Sequence, residues 1–323
     1  MSGSDAEQAF LASAREAFRR DPGSASLDAL GAWDLLDELA DDEARAALYA
    51  VFRAHGRELG RSAALGCLMA HPFVAGERAP GSVALAIPRR SARRGEVFAL
   101  LGEPTAPHVL VDRPGFGASI VAIEDLALQP VAIPGRLPIH EIAFDPEDAA
   151  RSSIPEQRAK EARARSLFLG RVAAAHEILG AAEGALDLAL AHASTRVQFG
   201  KPIGSFQAVR HLLAWARTDC AAVLEVSRQA GSLDLAAPPH FDEIAKALAG
   251  RNGRRAGERA LQVLGGIGFT AEHDHHHFHS RVLALDGVLG TSAELARGLG
   301  AWLRETRTDP EIPRQLLHRG ANV

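Results

Sequence analysis

Apolar residues recur at helical spacing from the start of the chain: Phe10, Ala14, Ala17 and Phe18, then Leu30, Trp33, Leu36 and Leu39. The pattern predicts helices from about Asp5 to Ala70, with Ser26 or Asp28 capping the second segment and Asp41 the third. At His71-Pro72 the texture changes. Short β-leaning runs follow: Val83–Ile87, Val97–Leu101, His108–Val111, Ser119–Ile123 and Ile139–Phe144, separated by turn signals such as Pro-Gly and Asp-Arg-Pro-Gly. Most of the prolines fall between Pro80 and Pro146, and this stretch predicts a small antiparallel β-domain. Helical spacing returns at Pro155. Glu161–Arg196 is long, Ala- and Leu-rich and broken only by Gly170, Gly180 and Gly184; small residues of this kind let a neighbouring helix approach closely. Phe206–Gly231, Phe241–Leu264, His273–Leu289 and Ser292–Arg304 complete the helices, with Leu233–His240 as a loop. The expected fold class is α+β, mostly α: an N-terminal helical domain (1–75), a small, reduced antiparallel β-domain (76–150) and a C-terminal helical bundle (151–323).

Composition narrows the function classes. A chain of 323 residues, 47% hydrophobic and 24% charged, buries a sizeable core and is not disordered. A net charge of −4 leaves no basic footprint, so nucleic acid is not the expected partner. Cys67 and Cys220 are too few for a disulfide scaffold or a cysteine-based zinc site. The opening MSGSDAEQAF lacks the apolar run of a signal peptide, and no run of about eighteen uncharged apolar residues occurs anywhere. A cytoplasmic protein away from membranes is the expectation.

Two segments carry candidate chemistry. Arg196–Gln207, RVQFGKPIGSFQ, joins two helices and offers a guanidinium for a phosphate and an aromatic ring for stacking; a plain helix–helix turn is the alternative. Ala260–Asp274, ALQVLGGIGFTAEHD, places Gly265, Gly266 and Gly268 between helices, with Thr270 a possible cap, and their backbone N–H groups could approach a pyrophosphate. This cluster does not follow a strand, so it is not a Rossmann fingerprint.

In this order and spacing the two segments resemble the acyl-CoA dehydrogenase family. Leu30-Gly31-Ala32-Trp33, the His55–Ser62 stretch, Arg281 and LALDGVLGTSAEL from Leu283 to Leu295 extend the likeness over nearly the whole chain. The EHDHHHFHSRVLALD stretch resembles a short, actinobacterial-style branch, several of whose members work as pairs of unlike subunits. The resemblance implies FAD-linked α,β-desaturation of an acyl thioester. It implies that Arg196 and Phe199 contact the adenosine diphosphate half of FAD across a subunit interface, with Gln198, Ile203 and Gln207 at accessory positions. Gln262, Gly265 and Gly266 match the glycine segment that reaches the same FAD, and Thr291 matches a threonine near the flavin. Such cross-subunit contacts imply a homodimer or tetramer, or a heterotetramer with a homologous subunit sharing the FAD.

The sequence departs from the family at the base. Desaturation needs a carboxylate beside the substrate α-carbon, which in the family precedes the Gly-Thr or lies on the long helix before an Arg. Those positions are Leu289 and Gly170, the residue before Arg171. Glu177 lies seven residues past Gly170, roughly 10 Å along the axis. Asp286 is about one turn from Leu289 and is the candidate catalytic residue. The β-domain also lacks a Trp, and Arg89–Arg94 supplies either a site for coenzyme A phosphates or a solvated hairpin rim. Of the histidines, His273/His277 and His275/His279 have i,i+4 spacing, but no acidic or Cys ligand accompanies them, so no metal site is expected. A partner subunit without its own base is the leading expectation. A homomeric enzyme with altered or non-redox thioester chemistry, or a non-catalytic binding homologue, are the alternatives.

Overall fold

The computed structural model describes residues 3–88, 96–133, 135–144, 153–232 and 240–307. The Arg89–Arg94 run and most of the Leu233–His240 loop lie outside the described residues. The N-terminal part consists of α1 (Gly3–Arg20), α2 (Ala25–Ala29), α3 (Asp34–Asp37), α4 (Asp42–Arg57) and α5 (Ala64–Val74). The periodic positions of α1 meet the core, Ala14 and Phe18 being buried. Asp41 caps α4 by accepting from the amides of Glu43 and Ala44. The change of texture at His71-Pro72 does not end α5, which carries Pro72 and runs on to Val74. Phe73 and Val74 are buried, and that packing holds the last turn despite the proline.

The sheet contains β1 (Val83–Pro88), β2 (Glu96–Leu101), β3 (His108–Arg113), β4 (Gly117–Ala122), β5 (Leu128–Val131), β6 (Ile139–Phe144) and β7 (Ser153–Ile154). Its order is β5-β6-β2-β1-β3-β4-β7. All pairings are antiparallel except β1 with β3, which run parallel from Val83 opposite His108 to Ala86 opposite Val111. Side chains alternate between faces: Ala84, Ala86, Val109 and Val111 join a small core within the β-region, while Leu85 and Leu110 face the helices.

The bundle is built on α6 (Glu156–Thr195), which at 40 residues is about 60 Å long. Every residue from Val172 to Leu186 is buried, so this stretch is a spine enclosed on all sides. Gly56 and Gly180 permit the α4–α6 crossing, because a Cβ on either would lie 1.9 Å from a carbonyl oxygen of the opposite helix. A two-strand hairpin, β8 (Val197–Gln198) and β9 (Lys201–Pro202), leads to α7 (Gln207–Ser232). The chain continues through α8 (Phe241–Leu264), a 3-10 turn (Gly265–Phe269), α9 (His275–Asp286) and α10 (Ser292–Thr306). Among the described residues no helix is long and apolar enough to cross a membrane.

Candidate functional site

One end of the bundle is closed by an alanine-rich seam. Ala185, Ala189 and Ala193 of α6 pack with Ala260, Val263 and Leu264 of α8, and Ile203 covers them. Over this seam lie the β8–β9 hairpin and the Gly265–Phe269 turn. Phe199 and Gly200 form the hairpin's two-residue loop, with φ of 53° and 78°, the signature of a type I′ turn. The turn holds Phe199 outward, 92% exposed, with Phe206 edge-on at 6.1 Å. A phenylalanine in left-handed backbone, and left in water, points to a contact made outside this chain. Val197, Ile267 and Phe269 are also exposed here, and an apolar patch of this kind marks an interaction surface.

Polar groups surround that patch. The Arg196 carbonyl accepts from the Ile203 amide at 2.8 Å, which fixes the hairpin against α6. His192, one turn earlier, is held below the ordinary imidazole value by burial, then by the charges of Arg196 and His273. Gln198, Gln207, Gln262 and Gly266 are exposed, and a Cβ built on Gly265 or Gly266 would meet nothing within 4 Å. Eight of the sequence-predicted cofactor residues (Arg196, Gln198, Phe199, Ile203, Gln207, Gln262, Gly265 and Gly266) thus belong to this one end. A guanidinium, an outward ring and approachable glycine backbone fit the phosphate and ring systems of a dinucleotide.

Thr291 and Asp286 lie elsewhere. They pack beside Lys246, sixteen residues before Gln262 on α8 and so roughly 24 Å away along its axis. Thr291 caps α10 in a capping box: its Oγ1 accepts from the Glu294 amide at 3.2 Å, and its own amide donates to the Glu294 carboxylate at 3.0 Å. The Asp286 carboxylate accepts from the Ser292 amide at 2.9 Å and from the Ser292 hydroxyl at 3.2 Å, with Lys246 Nζ 3.9 Å away. Lys246 is fully buried and its Nζ donates to the carbonyls of Asp286 and Gly290, both at 3.2 Å. Burial pushes its ammonium down to about 8, against the pull of Asp286.

Leu289 rides on this loop with φ of 59°. Arg171 Nε donates to its carbonyl at 3.2 Å, while Asp242 and Glu243 hold the same guanidinium at 2.9 and 3.0 Å. The two base positions of the family meet in space: a Cβ on Gly170 would lie 3.0 Å from Leu289 Cδ1 and 2.7 Å from Met69 Sδ. Leu289 and the Met69 thioether fill the space beside Gly170. Glu177 is spent elsewhere, bonded by Arg281 at 2.8 Å and by His55 at 3.1 Å. No sequence signal pointed to Met69. Lys246 had one, since it is one of only three lysines and sits on an apolar helical stripe.

Among the described residues no group of three or more His, Cys, Asp or Glu side chains is placed to hold a metal ion. The α9 histidines are used in packing: His275 Nε2 bonds the Gly257 carbonyl at 2.9 Å, and His275 stacks on His279 at 5.9 Å.

Residues 162–303 match the family model for the acyl-CoA dehydrogenase C-terminal domain. The acyl-CoA dehydrogenase FadE34 of Mycobacterium tuberculosis is 31% identical over 223 residues, 67% of this chain and 29% of the relative. IpdE2 of the same organism is 37% identical over 125 residues, 39% of this chain and 38% of the relative. The chain therefore spans well under half the length of these curated relatives. A variant of the Tcur3481–Tcur3483 steroid ACAD superposes with a TM-score of 0.75 at 22% identity, covering 95% of this chain and all of that one. A subunit of the ChsE4–ChsE5 complex from Mycobacterium tuberculosis superposes with a TM-score of 0.69 at 20% identity, over 96% of this chain and 99% of that one. With its helix–sheet–bundle fold shared over nearly its full length and its bundle matched in sequence, the chain belongs to the acyl-CoA dehydrogenase family.

Proposed function

We propose that this chain is one subunit of an FAD-dependent acyl-CoA dehydrogenase assembly acting on an acyl thioester, and that it supplies cofactor-binding and interface surface without a base of its own. The observation that carries the reading is the meeting of Gly170, Leu289 and Met69. Both positions that hold the family's carboxylate converge on one apolar spot, and Asp242, Glu243, Asp286 and Glu177 are each engaged by other groups. Desaturation removes the α-proton to a carboxylate and the β-hydrogen as hydride, and FAD, when bound, supplies the hydride acceptor. Arg196 would neutralise the diphosphate, Phe199 would offer its ring, and Gln262 with the Gly265–Gly266 backbone would donate hydrogen bonds. Leu289 and Met69 keep water from the acyl end. Asp286 supports the loop that carries Leu289. The exposed patch of Val197, Phe199, Ile267 and Phe269 is the face a homologous subunit covers. The naming of a structural neighbour as a two-protein complex supports this pairing.

The test is purification of the chain alone and after co-expression with a homologue that has Glu at either base position. Flavin absorbance and thioester oxidation appearing only in the co-expressed preparation is the expected result. Turnover by the chain alone overturns the claim that it lacks a base. Protein that stays colourless in both preparations overturns the flavin reading.

A further inference from the structure

A cavity of about 240 Å³ lies between α1, α4, α6 and α7, away from both halves of the candidate site. Its walls include Tyr49 of α4 and His176 of α6, with Glu7, Asp42, Arg228 and Gln229 toward its rim. His176 lies six residues beyond Gly170, about 9 Å further along α6.

The polar chemistry here is unspent. Among the described residues, Tyr49 Oη and both ring nitrogens of His176 have no hydrogen-bond partner, although Tyr49 is 3% exposed and His176 4%. The Ser227 backbone lies beside the imidazole and acts on it against the effect of burial. Buried polar atoms left unpaired lose their hydration without compensation, so a cluster of them calls for a partner. The rings of Tyr49 and His176 lie parallel, 7° apart in plane with centroids at 5.1 Å. Of the charges toward the rim, Arg228 binds Glu7 at 2.6 Å and Arg45 binds Asp42, while Glu225 lines the cavity from an exposed position.

We infer that this cavity is a binding site for a small, planar, uncharged molecule that presents a hydrogen-bond donor and an acceptor together, such as a carboxamide on an aromatic ring. Both inner side chains are electrically neutral. His176 is pushed down to about 3 by burial and then by the charge of Arg53, and burial holds the Tyr49 hydroxyl protonated far above its usual range. A neutral imidazole is donor at one nitrogen and acceptor at the other, and a phenol is both. A charged ligand would shed its hydration against these two neutral side chains.

Three probes of equal size separate charge from shape: nicotinamide, benzamidine and benzoate, titrated into the full chain and followed by ligand-observed NMR and thermal shift. Saturable binding of nicotinamide, at least about tenfold tighter than either charged isostere, is expected. Tyr49→Phe, which keeps the ring and removes only the hydroxyl, is expected to weaken it about fivefold to tenfold. His176→Leu is expected to abolish it. Phe199→Ser, at the other end of the bundle, is expected to leave it unchanged, so failure here is distinguishable from failure of the cofactor reading. No saturable nicotinamide binding, a preference for a charged probe, or Tyr49→Phe binding as well as the parent each overturns the inference.

Discussion

Arg281 is a fully buried guanidinium, and the structure shows how much depends on it. Its Nη1 donates to Glu177 at 2.8 Å, its Nε to the Gly135 carbonyl at 3.0 Å, and its Nη2 to the carbonyls of Gly60 and Arg136 at 2.8 and 3.1 Å. One side chain of α9 thereby ties α6, the end of α4 and the loop before β6. Arg281→Met leaves the Glu177 carboxylate, 2% exposed, with His55 as its remaining partner and strands three carbonyls. Removing one member of a buried pair costs about 3–5 kcal/mol. Urea denaturation is expected to show a loss of that size, with the slope against urea unchanged. Glu177→Leu alone is expected to cost a similar amount. The double variant is expected to fall short of additivity by about 1–3 kcal/mol, since it buries no unpaired charge. It does not recover the parent stability, because the carbonyls of residues 60, 135 and 136 remain unpaired. Burial alone would raise the Glu177 carboxyl, but His55 and Arg281 more than offset it and hold it below the ordinary value. A depressed carboxyl contributes stability that is complete above its unfolded value of about 4.3 and is lost as pH falls through the folded value. A loss under about 1 kcal/mol in Arg281→Met, or strict additivity in the cycle, would refute this reasoning.

Other consequences follow from single groups. Lys246 titrates at about 8 in the fold and near 10.4 when unfolded, so the neutral form is favoured by folding, and stability rises as pH climbs between those values by about 3 kcal/mol. The difference between parent and Lys246→Met stability curves over that range carries the slope, and a flat difference contradicts the assignment. His192, His275, His277 and His279 are all held below the ordinary imidazole value, burial being the first cause in each. Their contribution is present above about pH 6.5 and is lost as pH falls below it, so melting temperature is expected to drop there, and less steeply in His275→Gln. Gly170→Ala drives a Cβ to 2.7 Å from Met69 Sδ, an overpacking cost of about 1–3 kcal/mol. Met69→Val in the same chain is expected to relieve part of it, as urea midpoints will show.

The fold was legible wherever one face of an element meets the core. The α1 and bundle helices follow their apolar stripes to within a few residues, because burial and periodicity carry the same information there. Asp41 was legible as a cap because it precedes an apolar run. The failures have equally local causes. β5 contains Gln129 and Pro130 and lies at the sheet edge, where a proline costs no central ladder bond but erases the strand signature. The parallel β1–β3 pairing left no mark, because β2 intervenes in sequence and nothing local says that it pairs on β1's other side.

The candidate site divides along the same line. Backbone-determined features, the Phe199-Gly200 turn and the Gly265-Gly266 approach, were visible as residue types in fixed order. Side-chain convergence was not: nothing in the sequence brings Met69 to Gly170, or Arg171 and Lys246 onto the one loop that carries Leu289. That convergence bears on the proposal that this chain lacks a base of its own. A Glu lost from one position with space left for it could be restored by a shifted neighbour. Here the two positions close on each other, and methyl and thioether groups occupy the volume between them. The nearby Asp286 is drawn away to Ser292 and Lys246, and Arg171 absorbs Asp242 and Glu243. The other end of the bundle shows the opposite arrangement, with a guanidinium, an outward phenylalanine and open glycines left uncovered among the described residues. A chain with apolar groups packed between residues 170 and 289, and with Arg196, Phe199 and Gly266 exposed at the other end, has the form expected of the base-free subunit proposed above.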